Sequence, residues 1–152
     1  MMREWKSLDD ILDYAIGQEE TAAAFYEELA GRVERRQVRQ LLLEFAQEEK
    51  GHKTKLLEVK QGRLVLSGED RVGDLQVGDY LVDVEPDSAL DYQQALIVAM
   101  KKEKSAFKLY TDLAAAVEVP EARKTFLALA AEEARHKLRF ELEYDDSILT
   151  GN

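Results

Sequence analysis

Apolar residues recur at steps of three and four through four stretches of the chain, which is the signature of helices that each bury one face. The first stripe runs Leu8, Leu12, Ala15, Glu19, Ala22, Tyr26, Leu29, Ala30 and Val33, opened by Ser7 and Asp10 in a capping-box-like spacing. The second runs Val38, Leu41, Leu42, Phe45, Glu49, His52, Leu56 and Val59. Between 61 and 87 the periodicity is lost, and Gly62, Gly68, Gly73, Gly78 and Pro86 interrupt the chain. A third stripe follows Ser88 and Asp91, a second capping-box-like pair, through Ala95, Ala99, Glu103, Ala106, Tyr110 and Leu113. The fourth opens at Pro120, a good first-turn residue, and carries Phe126, Leu129, Glu133, His136 and Phe140 inward. These patterns predict helices over about 7–32, 36–60, 88–118 and 120–145, with a loose polar tail from Asp145. Short connections within each pair make antiparallel hairpins, and the stretch 61–87 is expected to cross the length of the bundle, with Leu75, Tyr80, Leu81 and Val82 packed on the helices.

The two halves are copies. Ala15, Glu19, Ala22, Tyr26, Leu29, Ala30, Val33, Arg39, Leu43, Ala46, Glu48, Glu49, His52 and Lys53 each reappear unchanged 84 positions later, the distance from His52 to His136. One offset that serves a helix, its turn and the next helix points to a duplicated hairpin. The expected fold class is therefore all-α: a four-helix bundle of pseudo-twofold symmetry, formed as a single domain over residues 1–152.

The polar residues inside the stripes change the picture from fold to chemistry. An unpaired carboxylate in a core costs several kcal/mol, so Glu19, Glu49, Glu103 and Glu133 need compensation. Glu49 with His52, and Glu133 with His136, are three apart and share a helix face, so each pair can close on one metal ion from one side. Two such Glu-x-x-His pairs plus one glutamate from each of two other helices form the inward ligand set of di-iron and di-manganese carboxylate bundles. Two ferrous ions would balance the four carboxylate charges. The repeat decides between neighbours: Glu19 is copied as Glu103, whereas Glu20 becomes Lys104 and is read as surface. Glu48 and Glu132 are copied too, but each is turned by about 100° from its ligand neighbour and is read as an outer-face residue. Tyr26 and Tyr110, two turns beyond Glu19 and Glu103, are candidates to hydrogen-bond the ligand carboxylates, although a core tyrosine needs a partner in any case.

Composition narrows the partners. There is no cysteine, so thiolate sites and disulfides are excluded. A net charge of −10 and a pI near 4.8 disfavour nucleic acid and anionic membranes, and favour attraction of cations. The absence of an apolar leader or of any run long enough to span a bilayer leads to the expectation of a cytoplasmic protein.

On Glu19…Tyr26, Glu48-Glu49-x-x-His52, Glu103…Tyr110 and Glu132-Glu133-x-x-His136, the chain from Leu8 to Tyr144 resembles the rubrerythrin-like di-iron proteins of the ferritin-like superfamily. The resemblance implies Glu49 and Glu133 as bridging ligands, Glu19 and Glu103 as terminal ones, one histidine near each metal, and a cofactor of two iron ions, with manganese or a mixed pair as alternatives. It implies an oxidoreductase that reacts with hydrogen peroxide or dioxygen and draws electrons from an external donor protein; a homodimer would be compatible with it. Two departures bear on this: rubrerythrins proper carry a four-cysteine rubredoxin domain, for which the chain has neither length nor cysteine, and a further glutamate one turn beyond the helix-three ligand, where Ala106 stands. The alternatives are iron handling of the ferritin type, with Fe(II) oxidised for storage or transfer, and a non-catalytic bundle that uses metal only structurally.

Overall fold

Four α-helices form the computed structural model, which describes residues 7–62, 75, 77–81 and 91–149. Helix α1 spans Leu8–Ala30, α2 Arg36–Lys60, α3 Tyr92–Ala116 and α4 Pro120–Leu149, with a short 3₁₀ turn at Val77–Tyr80 in the crossover. Helix α1 packs along α2 and α3 along α4; the two hairpins meet chiefly where α1 faces α3 and α2 faces α4. Among the described residues there is no strand, and no helix is long and apolar enough to cross a membrane.

Capping explains where the helices begin. The Ser7 side chain accepts the Asp10 N–H at 3.2 Å, satisfying one of the orphan donors of the first turn of α1. Helix α3 starts one turn later than the spacing of Ser88 and Asp91 suggests. Asp91 is its N-cap: its carboxylate accepts the Gln94 N–H at 2.8 Å, and the Gln94 side chain accepts the Asp91 N–H at 3.1 Å. This reciprocal pair fixes the start at Tyr92, the copy of Leu8, while Ser88 lies outside the described residues. The turn inside each hairpin is clamped by another repeated residue. Arg39 donates to the Val33 carbonyl at 3.0 Å, and its copy Arg123 donates to the Val117 carbonyl at 2.9 Å.

The other end of α4 also differs from expectation. The helix continues four residues past 145, because Asp146 is paired with Arg35 at 2.8 Å and Ser147 is buried beside Gln93, whose amide donates to it at 3.4 Å. In the crossover, Leu75 packs against the core and Tyr80 is buried. The Tyr80 carbonyl accepts from the hydroxyls of Tyr14 and Ser105, and its own hydroxyl donates to Asp112 at 2.7 Å, which ties this segment to α1 and α3 together. With Tyr80 turned inward the next side chain faces out: Leu81 is 55% exposed, contrary to expectation, and Val82 lies outside the described residues.

The core is split into two apolar layers. One gathers Leu12, Leu56, Leu113 and Phe126, and the other Leu29, Phe45, Leu96 and Phe140. The copies exchange bulk across the pseudo-twofold: Leu42, Phe45 and Leu56 correspond to Phe126, Leu129 and Phe140, all buried. Leucine and phenylalanine trade places, with one phenylalanine at these positions in the first hairpin against two in the second, so the copies fill the core with different shapes. Between the layers lies a band of charge.

Two helix-interior glycines, Gly17 and Gly51, have open space where a Cβ would stand, with no neighbouring atom within 4 Å. A helical glycine costs about 1 kcal/mol relative to alanine through backbone entropy. Gly17→Ala and Gly51→Ala should therefore each raise stability by about 0.5–1 kcal/mol in a denaturant titration, with no change in slope.

Candidate metal centre

All six chemistry-bearing residues of the stripes meet in the middle band. Glu19, Glu49, Glu103 and Glu133 are each at most 2% exposed, and so are His52 and His136. They resolve into two overlapping groups, Glu19–Glu49–His52–Glu133 and Glu49–Glu103–Glu133–His136, in each of which one ligand atom per residue lies within 4.8 Å of the others. Glu49 and Glu133 belong to both groups, whereas each of the other four belongs to one. The Nδ1 atom of His52 lies 3.1 Å from Glu19, 3.5 Å from Glu49 and 2.9 Å from Glu133. The Nδ1 atom of His136 lies 3.1 Å from Glu49 and 3.3 Å from Glu103. The two imidazoles are nearly parallel, 14° apart with centroids 6.2 Å from each other, and Phe45 stacks on His136 at 4.0 Å.

The tyrosines reach across the duplication rather than along their own helices. Tyr26 donates its hydroxyl to Glu103, and Tyr110 donates to Glu19 at 2.8 Å, so each hairpin orients the outer carboxylate of the other. Both phenols are held well above their usual pKa, first by burial and then by the neighbouring carboxylates, Glu103 for Tyr26 and Glu19 for Tyr110. They remain O–H donors across the physiological range.

Glu48 and Glu132 are not confined to the outer face. Glu132 lies 3.2 Å from Nε2 of His52, and Glu48 lies 3.4 Å from Nε2 of His136, again across the two copies. Each imidazole thus has Nδ1 turned to the carboxylate band and Nε2 turned to a carboxylate at its edge. These are charge contacts without hydrogen-bonding geometry, and each sets a carboxylate beside the imidazole of the opposite copy. Glu48 also pairs with Arg135 and Glu132 with Lys55, which anchors them at the rim. A helical wheel misses this pair; the signal available in the sequence is that both are copied. Glu20 lies where the repeat puts it, 55% exposed and bound to Lys53.

Without a counter-ion the band is electrostatically unfavourable. Burial raises Glu49 to about 8, helped by Glu103 and Glu19, and raises Glu133 for the same reasons. Burial lowers His136, but contacts with Glu103 and Glu49 outweigh it and hold the imidazolium up to about 10. His52 is raised in the same way, with Glu19 its main partner against burial. Among the described residues, the buried side-chain atoms that lack a partner in hydrogen-bonding geometry are Glu49 Oε1, His52 Nε2, Glu103 Oε2, Glu133 Oε1 and both ring nitrogens of His136. Every one belongs to this cluster. Buried polar atoms are otherwise almost always paired, so the orphans mark where bonds to something else belong. Oxygen and imidazole donors suit iron, manganese and similar divalent ions.

A four-helix bundle in which two buried carboxylates are shared between two Glu/His groups defines a class, helical bundles with a candidate carboxylate–histidine metal centre. The family follows from sequence: the rubrerythrin family pattern matches residues 10–80 and 94–147, and the chain belongs to the rubrerythrin family. No curated protein is significantly similar to it in sequence. Among solved structures, a candidate ferritin-like diiron-carboxylate protein of Thermotoga maritima superposes with a TM-score of 0.77 at 24% identity, over 95% of this chain and 99% of that one. A hypothetical protein of Pyrococcus furiosus superposes with a TM-score of 0.74 at 23% identity, over 97% and 93%. At these identities the two establish the shared fold.

Proposed function

We propose that the protein holds two iron ions in this centre and reduces hydrogen peroxide or dioxygen with electrons from an external donor protein. The observation that carries the reading is the sharing of Glu49 and Glu133 between two Glu/His groups, since a mononuclear site would have no use for two common carboxylates. Glu19 and His52 would serve one ion alone, Glu103 and His136 the other. A pair of iron ions supplies two electrons and Lewis acidity, matched to the two-electron cleavage of an O–O bond.

The chain's own residues supply the setting. Tyr26 and Tyr110 hold Glu103 and Glu19 in place by their hydroxyl protons, and Glu48 and Glu132 place negative charge beside the two imidazoles. The apolar layers above and below keep bulk water from the band, which strengthens every charge interaction inside it. Four carboxylates would match the charge of two divalent ions and leave the reduced site neutral.

The departure at Ala106 favours a second reading. This half-buried alanine packs against the apolar core where rubrerythrin-like proteins are expected to carry a further carboxylate, and a site with fewer ligands suits oxidation and release of iron. The test is turnover of iron-loaded protein. Consumption of peroxide in step with oxidation of a supplied reductant supports the first reading; accumulation of ferric mineral without a reductant supports iron handling; tight iron binding with neither supports a structural role.

A further inference from the structure

The two copies of the hairpin have kept the site and diverged on the surface above it. On the α1–α2 side a groove of about 560 Å³ has Glu19 in its lining and is bordered by the small residues Ala23, Ala24 and Thr54. Two ion pairs span it from helix to helix, Lys50 to Glu27 at 3.2 Å and Lys53 to Glu20 at 3.0 Å. All four side chains are at least 37% exposed, and pairs so solvated are too weak to close the groove for long. At the corresponding positions of the second hairpin stand Phe107, Lys108 and Leu138, in place of Ala23, Ala24 and Thr54. Bulk occupies the positions that the first hairpin leaves small.

Charge diverges in the same direction. In the first groove Glu20 and Glu27 offset Lys50 and Lys53. In the second hairpin Lys104 and Thr111 replace the two glutamates, and Lys104, Lys108 and Lys137 still outnumber Asp112 and Glu141, the partners of Lys108 and Lys137. A divalent cation therefore meets a neutral, carboxylate-bearing mouth on one side and a bulky, positive surface on the other.

Resting on the reading that the six residues hold metal, we propose that the ions reach the site through the α1–α2 groove over Ala23 and Thr54, and that the second hairpin is closed to them. The centre is symmetric in its ligands and one-sided in its access. Both ions pass the Glu19–His52 half, so the ion held by Glu103 and His136 passes before that half is filled and is the slower to exchange.

Cobalt(II) uptake by chelator-stripped protein, followed by stopped-flow absorbance of the ligand-field bands, tests this without reference to turnover. Ala23→Phe, which imposes the residue of the second hairpin, should slow uptake about tenfold and leave the final cobalt content unchanged. Glu20→Lys should also slow it, by a factor that shrinks as salt is raised, as expected for steering of a charged solute. A wild-type uptake rate in folded Ala23→Phe would overturn the route. Since Ala23 is buried, Thr54→Leu at an exposed position decides the matter if circular dichroism shows Ala23→Phe to be misfolded, with slower uptake expected and an unchanged rate overturning the proposal. Failure of the wild type to take up cobalt would overturn the metal reading and the route together, whereas normal content with normal rates in the variants would overturn the route alone.

Discussion

Stripping metal from the protein should lower its melting temperature at neutral pH by about 10 °C. A ligand that binds the folded chain and not the unfolded one stabilises by RT ln(1 + [L]/Kd), about 4 kcal/mol at a thousand times Kd, and in a chain of this size each kcal/mol moves the midpoint by about 2–4 °C. The structural reason is the band of buried carboxylates, which in the apo protein face one another and two imidazoles alone. The pH dependence should then separate the two forms by sign. Glu49, held at about 8 against an ordinary 4.5, binds its proton more tightly in the folded than in the unfolded chain, so apo stability rises as pH falls through 8 towards 4.5. His136, held at about 10 against 6.5, contributes stability that is complete below 6.5 and lost as pH rises through 10. Both effects favour the apo protein at the acid end of the range from 8 to 5.5. In the metal-bound protein the ligands must be deprotonated, so protons compete with metal and stability falls over the same range. Melts of the two forms at pH 8 and pH 5.5 should therefore converge. Parallel curves would mean that the glutamates and histidines are not gathered around a common metal.

The candidate ligand set is legible because duplication turns weak motifs into strong ones. A single Glu-x-x-His in a charged chain means little, but its recurrence inside an apolar stripe, with Glu19 and Glu103 at the same offset, constrains six residues together. Contacts between helices are harder to read. A helical wheel assigns direction at Cα, and by that measure Glu48 and Glu132 point away from the site; their side chains are long enough to lean back across the α2–α4 contact and meet the histidine of the opposite copy. The tyrosines illustrate the same point. The spacing marks Tyr26 as a partner for a carboxylate of the band without saying which one; it bonds Glu103, because the antiparallel arrangement of α1 and α3 brings the later turns of one beside the glutamate of the other. At the start of α3 two signals compete: a local motif at Ser88, and the repeat, by which Ser7 plus the offset is Asp91. The repeat is the better guide, because a cap copied with its helix keeps its place. The length of α4 has no such guide, because what extends it, Arg35 against Asp146, joins residues far apart in sequence.

Replacing either shared glutamate should remove metal to the same degree. Glu49→Ala and Glu133→Ala each delete a donor that belongs to both Glu/His groups, so each should cost more than half of the bound metal, whereas Glu19→Ala or Glu103→Ala removes a donor from one group only. The apo forms should move the other way. Deleting Glu49 or Glu133 takes out a carboxylate that burial and its neighbours already disfavour, and relieves the others, so without metal both variants should melt at or above the temperature of the stripped wild type, apart from about 1–2 kcal/mol lost to the cavity. Loss in the loaded form together with neutrality in the stripped form is the signature of a residue retained for metal and not for packing. The comparison needs metal analysis of the four variants purified alike, and paired melts with and without chelator. Full occupancy in Glu49→Ala beside empty Glu133→Ala would mean that one glutamate bridges and the other does not, and that the twofold relation stops short of the metals.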